Sequence, residues 1–136
     1  MTYLLDTNTC IRYLNGTSAP VRSRLSSVRE SEVVLCSVVK AELFFGVFKS
    51  SRPVENMERL RKFVARFVSV PFDDAAGEQY GEIRMAMEQQ GKLIGPNDLM
   101  IASIALAHNM ELVTHNTAEF LRVPGLRVID WEAENG

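Results

Sequence analysis

No stretch of this sequence approaches the ~18 uninterrupted apolar residues that a membrane span needs, so nothing in it reads as a membrane-crossing helix. Cysteine is nearly absent. Cys10 and Cys36 stand without a nearby histidine, which argues against a zinc cluster or a disulfide scaffold and makes both thiols buried apolar fillers. The two histidines, His108 and His115, are too far apart to form a metal-binding pair on one helix, and neither is expected to be a ligand. No glycine-rich phosphate loop and no Gly-Lys-Ser/Thr motif is present, which argues against a nucleoside triphosphatase. The 8 glycines and 5 prolines are scattered, which excludes a low-complexity chain. The opening residues lack the basic start, apolar core and cleavage site of a secretory signal, so the expected compartment is the cytoplasm.

What is present has ordinary globular proportions: 136 residues, 46% apolar and 24% charged, which predict a single domain over residues 1–136. The net charge of −2 hides an asymmetry. Residues 1–71 carry 11 Lys/Arg against 6 Asp/Glu, a balance of +5, and residues 72–136 carry 4 against 11, a balance of −7. A basic half beside an acidic half fits a polyanionic partner held near carboxylates, and equally an unevenly charged solvated surface.

Short apolar runs alternate with helical patterns. Tyr3-Leu4-Leu5 reads as a strand entering a helix that ends near Asn15-Gly16, and a second helix is expected from about Ala19 to Arg29. Val33-Val34-Leu35-Cys36 reads as a buried strand, followed by a helix capped by Ser37 and running to about Phe48. Further helices are expected at about Val54–Phe67, from Asp73 or Asp74 to about Gln90, from Pro96 to Ala107, and at Ala118–Leu121. Strands are expected at Val68–Val70, Leu112–Thr114 and Arg127–Ile129. Such alternation predicts an α/β fold, a mostly parallel sheet covered by helices on both faces.

In open parallel sheets, ligands bind beyond the carboxyl ends of the strands, so the residues just after each strand are the first candidates. Asp6 follows the first strand, where helix capping alone also accounts for an aspartate. Glu42 has Val38, Val39, Phe45 and Gly46 as its helical neighbours, an apolar setting in which a carboxylate needs a partner. Lys40 and Lys49 lie on other faces of that helix. Asp98 enters the first turn of a strongly apolar helix and shares the face of Ile101, Ala102 and Ala105; a helix N-terminus tolerates the charge without explaining its inward direction. After the fourth strand, Asn116 and Glu119 form either a further polar pair or a capping box. Several carboxylates converging at one sheet end repel one another unless a cation sits among them, and oxygen ligands favour Mg²⁺ or Mn²⁺. Phosphodiester hydrolysis is the natural use of such a centre.

The segments LLDTN, SVVKAELFFGV, GEIR, GKLIGPNDLMIASIALA and LVTHNTAEFLRVPGLRVIDW resemble, in order and spacing, the PIN-domain toxins of VapBC toxin–antitoxin modules, from Met1 to Trp131. The resemblance implies a three-layer α/β/α sandwich and an endoribonuclease that requires Mg²⁺ or Mn²⁺, cuts structured RNA such as transfer RNA, and is neutralised by a cognate VapB antitoxin. It implies Asp6, Glu42 and Asp98 as the core acidic residues, with Asp6 and Asp98 as metal ligands. Asn116 stands where many PIN domains have an aspartate, and Glu119 supplies the missing charge. Thr7 and Thr114 are candidates for steadying the carboxylates. Arg59, Arg61, Lys62 and Arg66, close together on one predicted helix, and Arg84, beside Tyr80 and Glu88, are candidates for the RNA backbone or for ordinary surface ion pairs. Leu43, Phe44, Phe45, Val47 and Phe48 make one helix apolar all round, which fits a groove for an antitoxin segment, a dimer surface, or a helix packed on two sides. A homodimer is the expected assembly.

Two other readings remain. A phosphatase of the haloacid dehalogenase type also uses an aspartate after its first strand, but its general acid would fall on Asn8 here. A catalytically degenerate RNA- or protein-binding domain fits the asparagine at 116.

Overall fold

In the computed structural model, which describes residues 1–133, five strands form one all-parallel sheet in the order β3-β2-β1-β4-β5. The strands are β1 (Tyr3–Leu5), β2 (Val33–Cys36), β3 (Val68–Val70), β4 (Glu111–Val113) and β5 (Val128–Ile129). The helices are α1 (Thr7–Asn15), α2 (Ala19–Ser27), α3 (Ser37–Phe48), α4 (Pro53–Val64), α5 (Asp74–Gln89), α6 (Pro96–Ala107) and α7 (Thr117–Phe120). The expected α/β/α sandwich is the observed one. The last three residues of the expected domain lie outside the described residues, among which no helix is long and apolar enough to cross a membrane.

The strand order reverses at β1. The chain adds β2 and β3 on one side of it, then β4 and β5 on the other, which opens a crevice between the carboxyl ends of β1 and β4. All four residues of β2 are buried, as a strand covered on both faces must be. β3 and β5 are the edges, and Val68 on β3 is exposed. Helix α6 is buried along most of its surface because it packs on α5, α3 and β4 at once, so Leu99, Ile101, Ala102, Ile104 and Ala105 all lie in the core. The last turn of α1 ends on Gly16 at φ 68°, a left-handed position that glycine adopts without steric cost. Trp131, just past β5, is buried with its ring 5.7 Å from that of Tyr3, pinning the end of the described chain to its start. Cys10 and Cys36 are free and buried, and burial raises both thiols, which keeps them unreactive.

Besides shifts of one residue at β4, β5 and α7, three local expectations differ. Cys36, not Ser37, holds the cap position of α3; the Ser37 hydroxyl instead accepts the Phe72 N–H at 3.2 Å, joining α3 to the chain beyond β3. Helix α4 stops at Val64 because Arg66 and Phe67 turn back, their N–H groups bonding the carbonyls of Phe63 and Val64. Helix α2 ends at Ser27, and Val28 is extended.

Leu4 is fully buried at the centre of the sheet. Leu4→Ala is expected to destabilise the fold by about 2–5 kcal/mol, checked by urea unfolding at constant m value.

Candidate metal centre

Asp6 sits where β1 passes into α1 and is only 4% exposed. One carboxylate oxygen accepts the Thr9 N–H at 2.8 Å, capping α1, and the other accepts the Thr114 hydroxyl at 2.6 Å from the end of β4. The backbone repeats the link, since the Asp6 N–H donates to the Val113 carbonyl. Each oxygen keeps a free lone pair beyond these bonds. Burial raises the Asp6 pKa, opposed by the Thr114 and Thr9 hydrogen bonds and helped by the charge of Glu42. The capping role is real, and it does not use up the carboxylate.

Glu42 projects from α3 toward α1 and α6 rather than toward a lysine. The Thr7 hydroxyl donates to it at 2.6 Å and the Asn97 amide at 3.4 Å. Thr7 and Thr114 thus each hold one carboxylate. Asn97, a residue that sequence reasoning passed over, sits beside Asp98 in the first turn of α6, and that adjacency is the only sequence signal for it.

Asp98 occupies the third position of α6, and its side chain makes no capping bond. Among the described residues no group donates to its carboxylate. Its pKa is pushed up to about 6, first by burial and then by the charges of Glu119, Glu42 and Asp6. Asn116 holds the cap position of α7 without a capping bond; its amide instead donates to Glu119 at 2.5 Å, while its N–H donates to the Thr114 hydroxyl at 3.0 Å. Glu119 also accepts a long bond from the Gly95 N–H at 3.4 Å. The chain therefore brings Asp6, Glu42, Asp98, Asn116 and Glu119 to one end of the sheet from five different helices or strand exits. A half-buried carboxylate lacking donors and facing three others fits a divalent cation with oxygen ligands.

The basic candidates do not gather there as one patch. Arg59 donates to the Leu14 carbonyl at 3.2 Å, tying α4 to the end of α1. Arg66 lies beyond α4, so the four residues do not share a helix; it holds Glu30 at 2.7 Å and the Tyr13 hydroxyl at 3.0 Å. Arg84 is held by Glu88 at 3.0 Å and Tyr80 at 2.9 Å. Lys62 lies 3.7 Å from Glu58, and Arg61 shares that flank of α4 beside Val54 and Met57. A separate cluster also escaped the sequence. His115 meets Asp130 at 3.0 Å and Glu132 at 3.8 Å, and Glu132 pairs with Arg12 at 3.1 Å, bracing the segment after β5 against α1.

Residues 3–126 match the PIN domain family. The chain is 38% identical over 133 residues to "Ribonuclease VapC2" of Rickettsia felis, covering 97% of this chain and 99% of that protein. It is 39% identical over 129 residues to "tRNA(fMet)-specific endonuclease VapC" of Shigella flexneri, covering 95% and 97%. Among solved structures it resembles VapBC2 of Rickettsia felis bound to a promoter DNA fragment, with TM-score 0.90, 38% identity and coverage of 96% and 99%. It likewise resembles DNA-bound VapBC of Salmonella typhimurium, with TM-score 0.91, 34% identity and coverage of 96% and 98%.

A carboxyl whose folded pKa lies above its unfolded value favours the folded state at low pH, and that advantage is lost as pH rises through about 6. In metal-free protein at pH 7, Asp98→Asn is therefore expected to stabilise the fold by on the order of 1 kcal/mol, the half-exposure of the side chain limiting the gain. At pH 4 the two proteins should melt together. A melting temperature lowered by the substitution at pH 7 would contradict the electrostatic reading of the site.

Proposed function

The chain belongs to the PIN domain family, and from that premise we propose that it is the ribonuclease of a VapBC-type toxin–antitoxin pair, an endonuclease that hydrolyses RNA phosphodiesters and is held inactive by a VapB-type antitoxin. The observation that carries this is the convergence of Asp6, Glu42, Asp98 and Glu119, with Asp98 pushed up to about 6 first by burial and then by the charges of the other three. Family membership sets aside the phosphatase alternative, whose general acid position is occupied here by Asn8.

Mg²⁺ or Mn²⁺ is the proposed cofactor, held by Asp6 and Asp98, with Glu42 and Glu119 completing the charge around it. When bound, such an ion polarises the phosphate, lowers the pKa of a water and offsets charge on the leaving oxygen. Thr114 and Thr9 fix the Asp6 carboxylate before any ligand arrives, so no side-chain entropy is lost in aiming it. Thr7 does the same for Glu42, whose free lone pairs can accept a proton from the attacking water. Asn116 keeps a second amide N–H beyond the one given to Glu119 and can donate it to a phosphate oxygen. Structured RNA such as transfer RNA is the proposed substrate class, and Arg61 and Lys62 are proposed to attract its backbone. Arg59, Arg66 and Arg84 are engaged with their own chain. An apolar groove of about 260 Å³ between α1, α3 and α4, lined by Ile11, Leu14, Leu43, Val47 and Leu60, is the proposed seat of an antitoxin segment.

Incubating the chain with total RNA and Mn²⁺, Mg²⁺ or EDTA, then sequencing the 5′ ends, tests the proposal. Discrete cuts are expected with either ion, none with EDTA, and a loss of at least about a hundredfold in Asp6→Asn and Asp98→Asn. Cuts that persist in both variants would belong to a contaminant. No cuts from folded wild-type protein with either ion would leave a binding module.

A further inference from the structure

We propose that Phe45 and Lys49 form a subsite for the unpaired nucleotide next to the bond that is cut, with the Phe45 ring stacking on its base and Lys49 meeting its phosphate; this rests on the ribonuclease reading above. Glu42, Phe45 and Gly46 on α3 and Lys49, the residue that caps its end, are spaced three, four and seven residues along and so lie along one stripe, which corrects the expectation that Lys49 lies on another face; the stripe runs about 10 Å away from the carboxylates. An open groove of about 720 Å³ follows that stripe from Thr7, Glu42 and Asn97 to Phe45 and Lys49. It meets the carboxylate cluster at Glu42.

Three observations indicate what this groove takes. Phe45 is 65% exposed, although it sits in a helix whose other face is core, so most of its ring stands in solvent. The Lys49 ammonium lies over the ring, 4.9 Å from its centroid, and among the described residues it pairs with no carboxylate, which sets a cation against one face of the stacking platform. Gly46 lies between them. A Cβ there would meet nothing within 4 Å, so the packing of the chain does not call for glycine, although glycine inside a helix costs about 1 kcal/mol relative to alanine. Its use is explained if something from outside approaches the backbone of α3 at that point. An apolar protein segment is met by the groove on the other side of Gly46, between α1, α3 and α4. Here an exposed aromatic ring, a free ammonium and the amides of Asn8 and Asn97 lead away from a phosphodiester-cutting centre, and this is the equipment that holds a single-stranded nucleotide.

Phe45→Trp supplies the test, because Trp131 is only 4% exposed and its emission is shielded. Titration with a ten-nucleotide oligoadenylate in Mn²⁺ is expected to quench the new indole saturably. An abasic oligomer with the same phosphates should quench little, and wild-type emission should hardly change. Phe45→Ala is expected to keep the wild-type cleavage sites in total RNA and lose about tenfold to a hundredfold in kcat/KM, with recovery in Phe45→Tyr. Wild-type cleavage without quenching in Phe45→Trp overturns the subsite and leaves the ribonuclease standing. Neither cleavage nor quenching overturns both. Unchanged RNA cleavage in Phe45→Ala, together with loss of dimerisation or of antitoxin binding, gives this face to a second copy or to the antitoxin and overturns the subsite as well.

Discussion

A buried aspartate held by two strands sets the geometry on which the rest depends. The Thr114 hydroxyl that reaches Asp6 crosses from β4 to β1, the two strands between which the sheet order reverses, and the Thr9 N–H fixes the second oxygen of the same carboxylate. One side chain thus caps α1, closes the crevice between two strands and presents an aimed negative charge. The other three carboxylates are brought to it by α3, α6 and α7, at an electrostatic cost visible in the raised pKa of Asp98. A network built for stability would supply donors to Asp98, and none are found among the described residues.

The sequence revealed most where two of its own levels conflict. Glu42 and Asp98 are charged residues on otherwise apolar helix faces, and this mismatch between pattern and charge is what singled them out. Asp6 was harder to read, since its capping propensity and its functional position predict the same residue; the structure shows the cap, and the second carboxylate oxygen is turned to Thr114. The strand and helix order followed from short apolar runs between helical periods, because parallel strands covered on both faces leave that signature. Interactions between residues far apart in the chain left no trace. Arg66 looked like one more base on a basic helix, yet it closes a contact with Glu30 and Tyr13 across 36 and 53 residues. Asn97, Ser37 and the grouping of His115 with Asp130 and Glu132 were hidden for the same reason. Each becomes visible only when the sheet order is known.

Helix α3 links the site to the surface. Its inward stripe of Val39, Leu43 and Val47 is core, and Glu42 faces the carboxylates, while Phe45 and Phe48 remain 65% and 71% exposed. Packing on two sides therefore does not account for its apolar composition. Phe48 stands with Val54 and Met57 at the flank of α4, whereas Phe45 stands over the groove that leads from Glu42. Large side chains left in water on both flanks of one helix fit a protein that meets more than one macromolecule through a small area.

On the proposed reading, Asp6, Glu42, Asp98 and Glu119 form one cation site in which Asp98, pushed up to about 6, gives up its proton when a metal binds. Calorimetric titration of Mn²⁺ into the full chain at pH 6, repeated in two buffers of different ionisation enthalpy, counts the protons released on binding. The account predicts release of about half a proton per ion at that pH, fading by pH 8 and absent in Asp98→Asn. Binding with no proton release at pH 6, or binding unchanged by the substitution, would contradict it.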